Sequence, residues 1–158
     1  MTNNKSLTLA IKEGERGMRQ NHGGPFGAVI VRGQKIIARG HNLVLRTKDP
    51  TAHAEIVAIR LASKKLKRFD LSDCVIYSSC EPCPMCLAAI HWAKMKKLYY
   101  AGTRNDAAKI YFDDKFIYDV IKGKVKGGQV KVKQIKKLRK NCLEIFQAWQ
   151  EKEDKVRY

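Results

Sequence analysis

Four residues of this chain are best equipped for chemistry: His53 and Glu55 in Thr51-Ala52-His53-Ala54-Glu55, and Cys83 and Cys86 in Ser79-Cys80-Glu81-Pro82-Cys83-Pro84-Met85-Cys86. They supply one imidazole, one carboxylate and two thiols. Three soft or borderline ligands with one acid left over form the donor set of a catalytic zinc site that keeps its fourth position open. A closed structural site would want a fourth Cys or His close by, and neither stretch offers an obvious one. Cys80, at what reads as a strand end, is taken as a neighbour of the metal pair and not as a ligand.

Local backbone preferences say how these side chains are held. Cys83 precedes a proline, which pushes its backbone out of the helical region, and Pro84 suits the first position of a helix. Cys83 is therefore an N-cap and Cys86 sits in the first turn, where free N–H groups and the helix dipole favour thiolate. His53 likewise opens a helical run after the turn Asp49-Pro50-Thr51. Two helix starts then aim at one metal.

The remaining elements follow in order. Ser6 to Arg19 reads as an amphipathic helix capped by Ser6 and broken at Asn21-His22-Gly23-Gly24-Pro25. Phe26 to Val31 and Lys35 to Gly40, joined by Arg32-Gly33-Gln34, read as a β-hairpin, with His41 and Asn42 closing its second strand. Arg46 to Pro50 reads as loop. A helix from about His53 to Lys65, a strand from Cys74 to Ser78, a helix from Cys83 to about Lys94 and a strand from Lys97 to Gly102 come next. Short helices are expected over Asn105 to Lys109 and Asp113 to Ile121. Val130 to Ile135 alternates apolar residues with lysine and predicts an edge strand. Asn141 to Glu151 is a last amphipathic helix. Strand–helix alternation after a hairpin predicts an α/β protein with a central mixed sheet of five strands flanked by helices, one domain over residues 1–158.

Composition narrows the class. A chain of 158 residues buries roughly 70% of its extended surface, enough for a real core. No apolar run is long enough to span a bilayer, and the polar start lacks the apolar stretch of a signal peptide. Five cysteines, two of them committed to metal, argue against a disulfide framework and for a reducing cytoplasm. The net charge of +17 is strongly basic. From Lys115 to Lys140 there are ten Lys or Arg against one acid, Asp119, but without the interleaved aromatics that base stacking wants. That zone reads more readily as a solvated lysine-rich face than as an RNA tract.

With His53, Cys83 and Cys86 on one zinc ion, a water in the fourth place acquires a pKa near about 7, and Glu55 can shuttle its proton. His-x-Glu followed by Pro-Cys-x-x-Cys is the signature of zinc-dependent base deaminases, which release ammonia and leave an oxo base. Such chemistry needs a flat, partly apolar slot, for which Phe26 and Trp92 are candidates. Asn42 can both donate to and accept from a purine edge.

The chain resembles the bacterial guanine deaminases within the cytidine/deoxycytidylate deaminase-like superfamily. The resemblance runs through Gly23-Gly24-Pro25-Phe26-Gly27-Ala28-Val29-Ile30-Val31, Asp49 to Glu55, Ser79 to Leu87, Phe112-Asp113-Asp114 with Phe116-Ile117-Tyr118, and Phe146-Gln147-Ala148-Trp149. It covers nearly the whole chain and is weakest from Ile121 to Asn141. It implies a three-layer α/β/α fold and attack of zinc-bound water on C2 of guanine, giving xanthine and ammonia. Glu55 is then the proton shuttle, Asn42 and Asp114 recognise the base, and Phe26 and Trp92 pack on its ring. It further implies a homodimer that exchanges a C-terminal segment (about 130–158), so that Tyr158 closes the partner's site. Ile110-Tyr111 stand where Ala-Gly is usual in that family, and Ala88 where Gly is common; a tyrosine beside Asp114 is expected to reshape the pocket.

Alternatives remain at this stage. A tRNA-specific adenosine deaminase shares the zinc chemistry and suits the basic surface. A guanine-like triazine or pterin is a third kind of substrate. A non-catalytic RNA-binding module would have no need of Glu55.

Overall fold

The computed structural model describes residues 2–125 and 130–156. In chain order its elements are α1 (Asn3–Arg19), β1 (Gly27–Arg32), β2 (Lys35–His41), α2 (Val44–Thr47), α3 (Ala54–Leu66), β3 (Val75–Cys80), α4 (Pro84–Trp92), β4 (Lys97–Gly102), α5 (Arg104–Ala108), α6 (Lys115–Ile121), a 3-10 turn (Lys136–Leu138) and α7 (Arg139–Glu151). The sheet runs β2-β1-β3-β4. β1 is antiparallel to both β2 and β3, while β3 and β4 are parallel, as the crossover through α4 requires.

Alternation along β1 explains the layering. Ala28 and Ile30 join a core with Ala54, Ala58 and Ala62 of α3 and Ile90 of α4. Val29 and Val31 turn the other way and meet Ala10 of α1 and Tyr77 of β3. A strand buried on both faces reads as a continuous apolar run. The result is helix, sheet, helix: a three-layer α/β architecture with α1 on one side and α3 and α4 on the other.

Three expectations need correction. α1 begins a turn earlier than expected: the Thr2 hydroxyl accepts the Lys5 N–H at 3.4 Å, and Ser6 is buried within the first turn. Apolar periodicity starts only at Leu7, but a threonine cap upstream serves equally well. The segment read as loop from Arg46 begins inside the short helix α2. Val130 to Ile135 forms no strand, so the sheet has four strands among the described residues. Alternation alone cannot make a strand; it needs a neighbour to hydrogen-bond, and these residues are exposed.

Candidate metal centre and base pocket

The turn before α3 is built by Asp49, whose Oδ1 accepts from Thr51 N–H at 2.8 Å and Thr51 Oγ1 at 2.6 Å. It delivers His53 to the N-cap of α3 with extended backbone (φ −67°, ψ 158°). Cys83 caps α4 in the same conformation (φ −65°, ψ 168°), with Pro84 starting the helix and Cys86 N–H donating to Cys83 Sγ at 3.5 Å. His53 Nδ1 lies 3.6 Å from each of the two sulfurs.

These separations test the metal directly. A tetrahedral ion with Zn–S near about 2.3 Å and Zn–N near about 2.0–2.1 Å holds sulfur and nitrogen about 3.6 Å apart. The three donors fit zinc, one ion per chain. The two thiols are differentiated: the hydrogen bond from Cys86, helped by His53, pulls Cys83 down to about 4. Cys86, the donor of that bond and buried, is pushed up.

Glu55 occupies the first turn of α3 and is buried. Ser78 on β3 donates to its Oε1 at 2.7 Å. Burial raises the Glu55 pKa and the Ser78 bond opposes that rise only partly. A carboxylate moved upward is better matched to proton transfer near neutrality.

His53, Glu55 and Cys83 open onto a cavity of about 260 Å³, which Phe26, Asn42 and Asp114 also line. Phe26 stands edge-to-face with Phe112, ring centroids 4.9 Å apart at 87°. Asn42 is buried, and its Oδ1 accepts from Val44 N–H at 3.0 Å. It is thus both a turn residue and a wall of the cavity. A Cβ on Gly23 would fall 2.1 Å from that Oδ1, so only glycine lets the loop reach Asn42. Asp114 precedes α6 but does not cap it; Lys115 N–H goes instead to Asp113 Oδ1 at 2.8 Å. The Asp114 carboxyl is pushed up by burial and then by the negative Cys83.

α6 is held against the metal loop. Tyr118 OH donates to the Pro82 carbonyl at 2.9 Å, and the Arg104 guanidinium lies 4.1 Å over the Tyr118 ring while pairing with Glu81. Cys80 Sγ donates to Thr103 O at 3.3 Å and lines the cavity outside the ligand cluster, as expected.

Two of the named residues are not brought in. Trp92, at the far end of α4, is 69% exposed and is not among the cavity's lining residues. Tyr158 lies outside the described residues. Tyr111 is not among the cavity's lining residues: it has φ +68° and is 97% exposed. The residues missed in sequence were Phe112, Ser78, Tyr118 and Glu81. Phe112 carried a signal, standing two positions before Asp114; the partners of Ser78 and Tyr118 are distant in the chain and had none.

A Cys2His donor set at two helix starts, beside a buried acid and an open cavity, is the site of a hydrolytic zinc enzyme. The chain belongs to the cytidine and deoxycytidylate deaminase zinc-binding family, which residues 1–102 match. It is 46% identical over 154 residues to the guanine deaminase of Bacillus subtilis (strain 168), covering 98% of this chain and 95% of that one. A crystal structure of guanine deaminase from Bacillus subtilis superposes with a TM-score of 0.88 at 43% identity, covering 100% of this chain and 99% of the other. A tRNA-specific adenosine deaminase of Buchnera aphidicola subsp. Schizaphis graminum (strain Sg) is 37% identical but covers only 65% of this chain and 68% of its own.

Proposed function

We propose that this protein hydrolyses guanine to xanthine and ammonia. One observation carries the reading: Asn42, Asp114 and the Phe26–Phe112 pair converge with Glu55 and the zinc ligands on one cavity of about 260 Å³. That volume lies just below the roughly 300–1,000 Å³ of sites for drug-sized ligands, which suits one bicyclic base. Similarity to a guanine deaminase along 98% of the chain, C-terminal third included, supports the choice of base.

Zinc held by His53, Cys83 and Cys86 lowers the pKa of a water and so supplies a nucleophile at neutral pH. The chain's own residues do the rest. With Oε1 bonded to Ser78, Glu55 Oε2 is the oxygen left to take a proton from the attacking water. Glu55 gives that proton to the ring nitrogen beside C2 and carries the second to the amine as the C2–N bond breaks, so the balance is guanine plus water to xanthine plus ammonia. Asp114 accepts from the donor edge of the base, Asn42 Nδ2 donates to an acceptor on it, and Phe26 packs on its face. Tyr158 is proposed to close the site of a second chain.

The protein is proposed to be a cytoplasmic homodimer that exchanges residues 130–158. Every described residue from 130 to 154 is exposed, including Leu143, Ile145, Phe146 and Trp149 of α7. A helix of 13 residues with its apolar side in water is marginal by itself and calls for a partner surface. The exposed Tyr99 and Tyr100 on β4 offer one. Among the described residues no helix is long and apolar enough to cross a membrane, and the cysteines are free thiols.

The test is ammonia release by zinc-loaded protein from guanine, guanosine, adenine and cytosine, with a tRNA anticodon stem-loop in parallel. Turnover of guanine alone is expected. Activity confined to the stem-loop would overturn the reading.

A further inference from the structure

Beside the base cavity, and outside the residues assigned to the reaction, lies a line of polar groups, of which Glu13 and His41 are buried. Glu13 and Arg16 come from α1, His41 from the end of β2, His22 from the loop after α1 and Arg46 from α2. Arg16 Nη2 pairs with Glu13 Oε2 at 2.6 Å and lies 3.1 Å from His41 Nδ1. Glu13 Oε2 also lies 3.7 Å from His41 Nδ1, so that nitrogen faces a donor and an acceptor at once. His41 Nε2 and His22 Nδ1 share a hydrogen bond of 2.8 Å, and His22 Nε2 lies 3.4 Å from Arg46 Nη1. One ring donates and the other accepts, so the His22–His41 bond is lost when both rings are protonated. α1 closes tightly over it: a Cβ on Gly17 would sit 2.3 Å from the His41 ring.

The two rings join the segments that wall the cavity. His22 is followed by Gly23 and Gly24, and its carbonyl accepts from Leu45 N–H at 3.0 Å and Arg46 N–H at 3.1 Å. His41 is followed by Asn42, whose Oδ1 is tied to Val44. Gly23, Gly24, Asn42, Val44 and Leu45 all line the pocket. We infer that the His22–His41 pair is a positioning device that fixes the Asn42–Leu45 wall, and through it sets how tightly the base is held without taking part in the chemical step. This rests on the guanine reading for its kinetic consequence only. Burial first, and the neighbouring guanidinium charges second, keep both imidazoles less basic than usual, which agrees with the neutral pair.

Two variants test it. H22F keeps a flat ring but leaves His41 Nε2 without its hydrogen-bond partner. H22N puts an amide group, both donor and acceptor, about where Nδ1 was. For H22F the KM for guanine should rise about tenfold with kcat within about twofold and zinc content unchanged, as expected when only uniform binding is lost. H22N should return KM to within about twofold of wild type. Hydrogen exchange at the amides of Leu45 and Arg46 should quicken in H22F and recover in H22N, whatever the substrate. Equal behaviour of the two variants, unchanged KM in H22F, or a fall in kcat alone would overturn the inference. If H22F fails to fold, the wild-type chain answers: after correction for intrinsic exchange, protection of those amides should drop when His22 and His41 are protonated, with Glu13, Arg16 and Arg46 the charged groups facing them. Unchanged protection would overturn it equally. Absence of guanine turnover in the wild type would instead refute the functional reading, leaving the exchange measurement to decide the pin.

Discussion

At the scale of single residues, the site separates holding from reacting. Glu55 is held by Ser78 through Oε1, beside the zinc ligands whose water it serves. Glu55→Gln should keep its zinc, measured by metal analysis, while ammonia release falls by roughly 10²–10⁴-fold, the usual weight of general acid–base catalysis. Asp114 spends nothing on capping α6. Asp114→Asn should therefore leave stability within about 0.5 kcal/mol of wild type, as for a substitution away from packed features, while raising KM for guanine; an unaltered KM would remove it from base recognition. Tyr111 shows the opposite case, a residue in the left-handed region with its ring in solvent. A bulky side chain pays about 1–2 kcal/mol there, so Tyr111→Gly should raise stability in denaturant melts by about 1 kcal/mol after the greater entropy of the unfolded glycine, with kinetics unchanged.

Among elements, helix starts do most of the positioning. α3 and α4 each present a metal ligand as N-cap, and α6 is clamped to the loop between β3 and α4 by Tyr118. Tyr118→Phe should loosen α6 by the worth of one hydrogen bond, about 1 kcal/mol, and be read as a higher KM with zinc retained. The same helix starts couple the metal to protons. Cys83 is pulled down to about 4, whereas Cys86 is pushed up and His53 is raised, first by its bond with Cys83. Zinc binding should release protons, and zinc affinity should weaken as pH falls; calorimetry in buffers of different ionisation enthalpy measures both. A pH-independent affinity would contradict the split thiol pair. Stability has a separate window at His22 and His41. Their folded pKa values lie below 6.5, so they favour the folded state above about pH 6.5 and that contribution is lost as pH falls through the lowered values. Melts of wild type and H22N between pH 7 and pH 5 should diverge on the acid side.

For the whole molecule, the described chain leaves one piece unfinished. The sheet ends at β4 with Tyr99 and Tyr100 exposed, and α7 stands in solvent with its apolar side uncovered. Truncation before residue 130 should yield a monomer by light scattering, with zinc retained and guanine turnover reduced; a truncated protein that still dimerises would contradict the exchange. What could be read without coordinates was the part governed by short range. Backbone preferences around Pro84 and Pro50 place Cys83 and His53 at helix starts, and the apolar run from Phe26 to Val31 reads as the first strand of a hairpin, because these depend on neighbours within a turn or two. The charge pattern likewise placed the basic face outside the core. What only tertiary structure decided involves groups brought together from far apart. Ser78 meets Glu55, Tyr118 meets Pro82, His22 meets His41, and Val130 to Ile135 goes unpaired, because hydrogen bonds between distant segments leave no period or spacing in the chain.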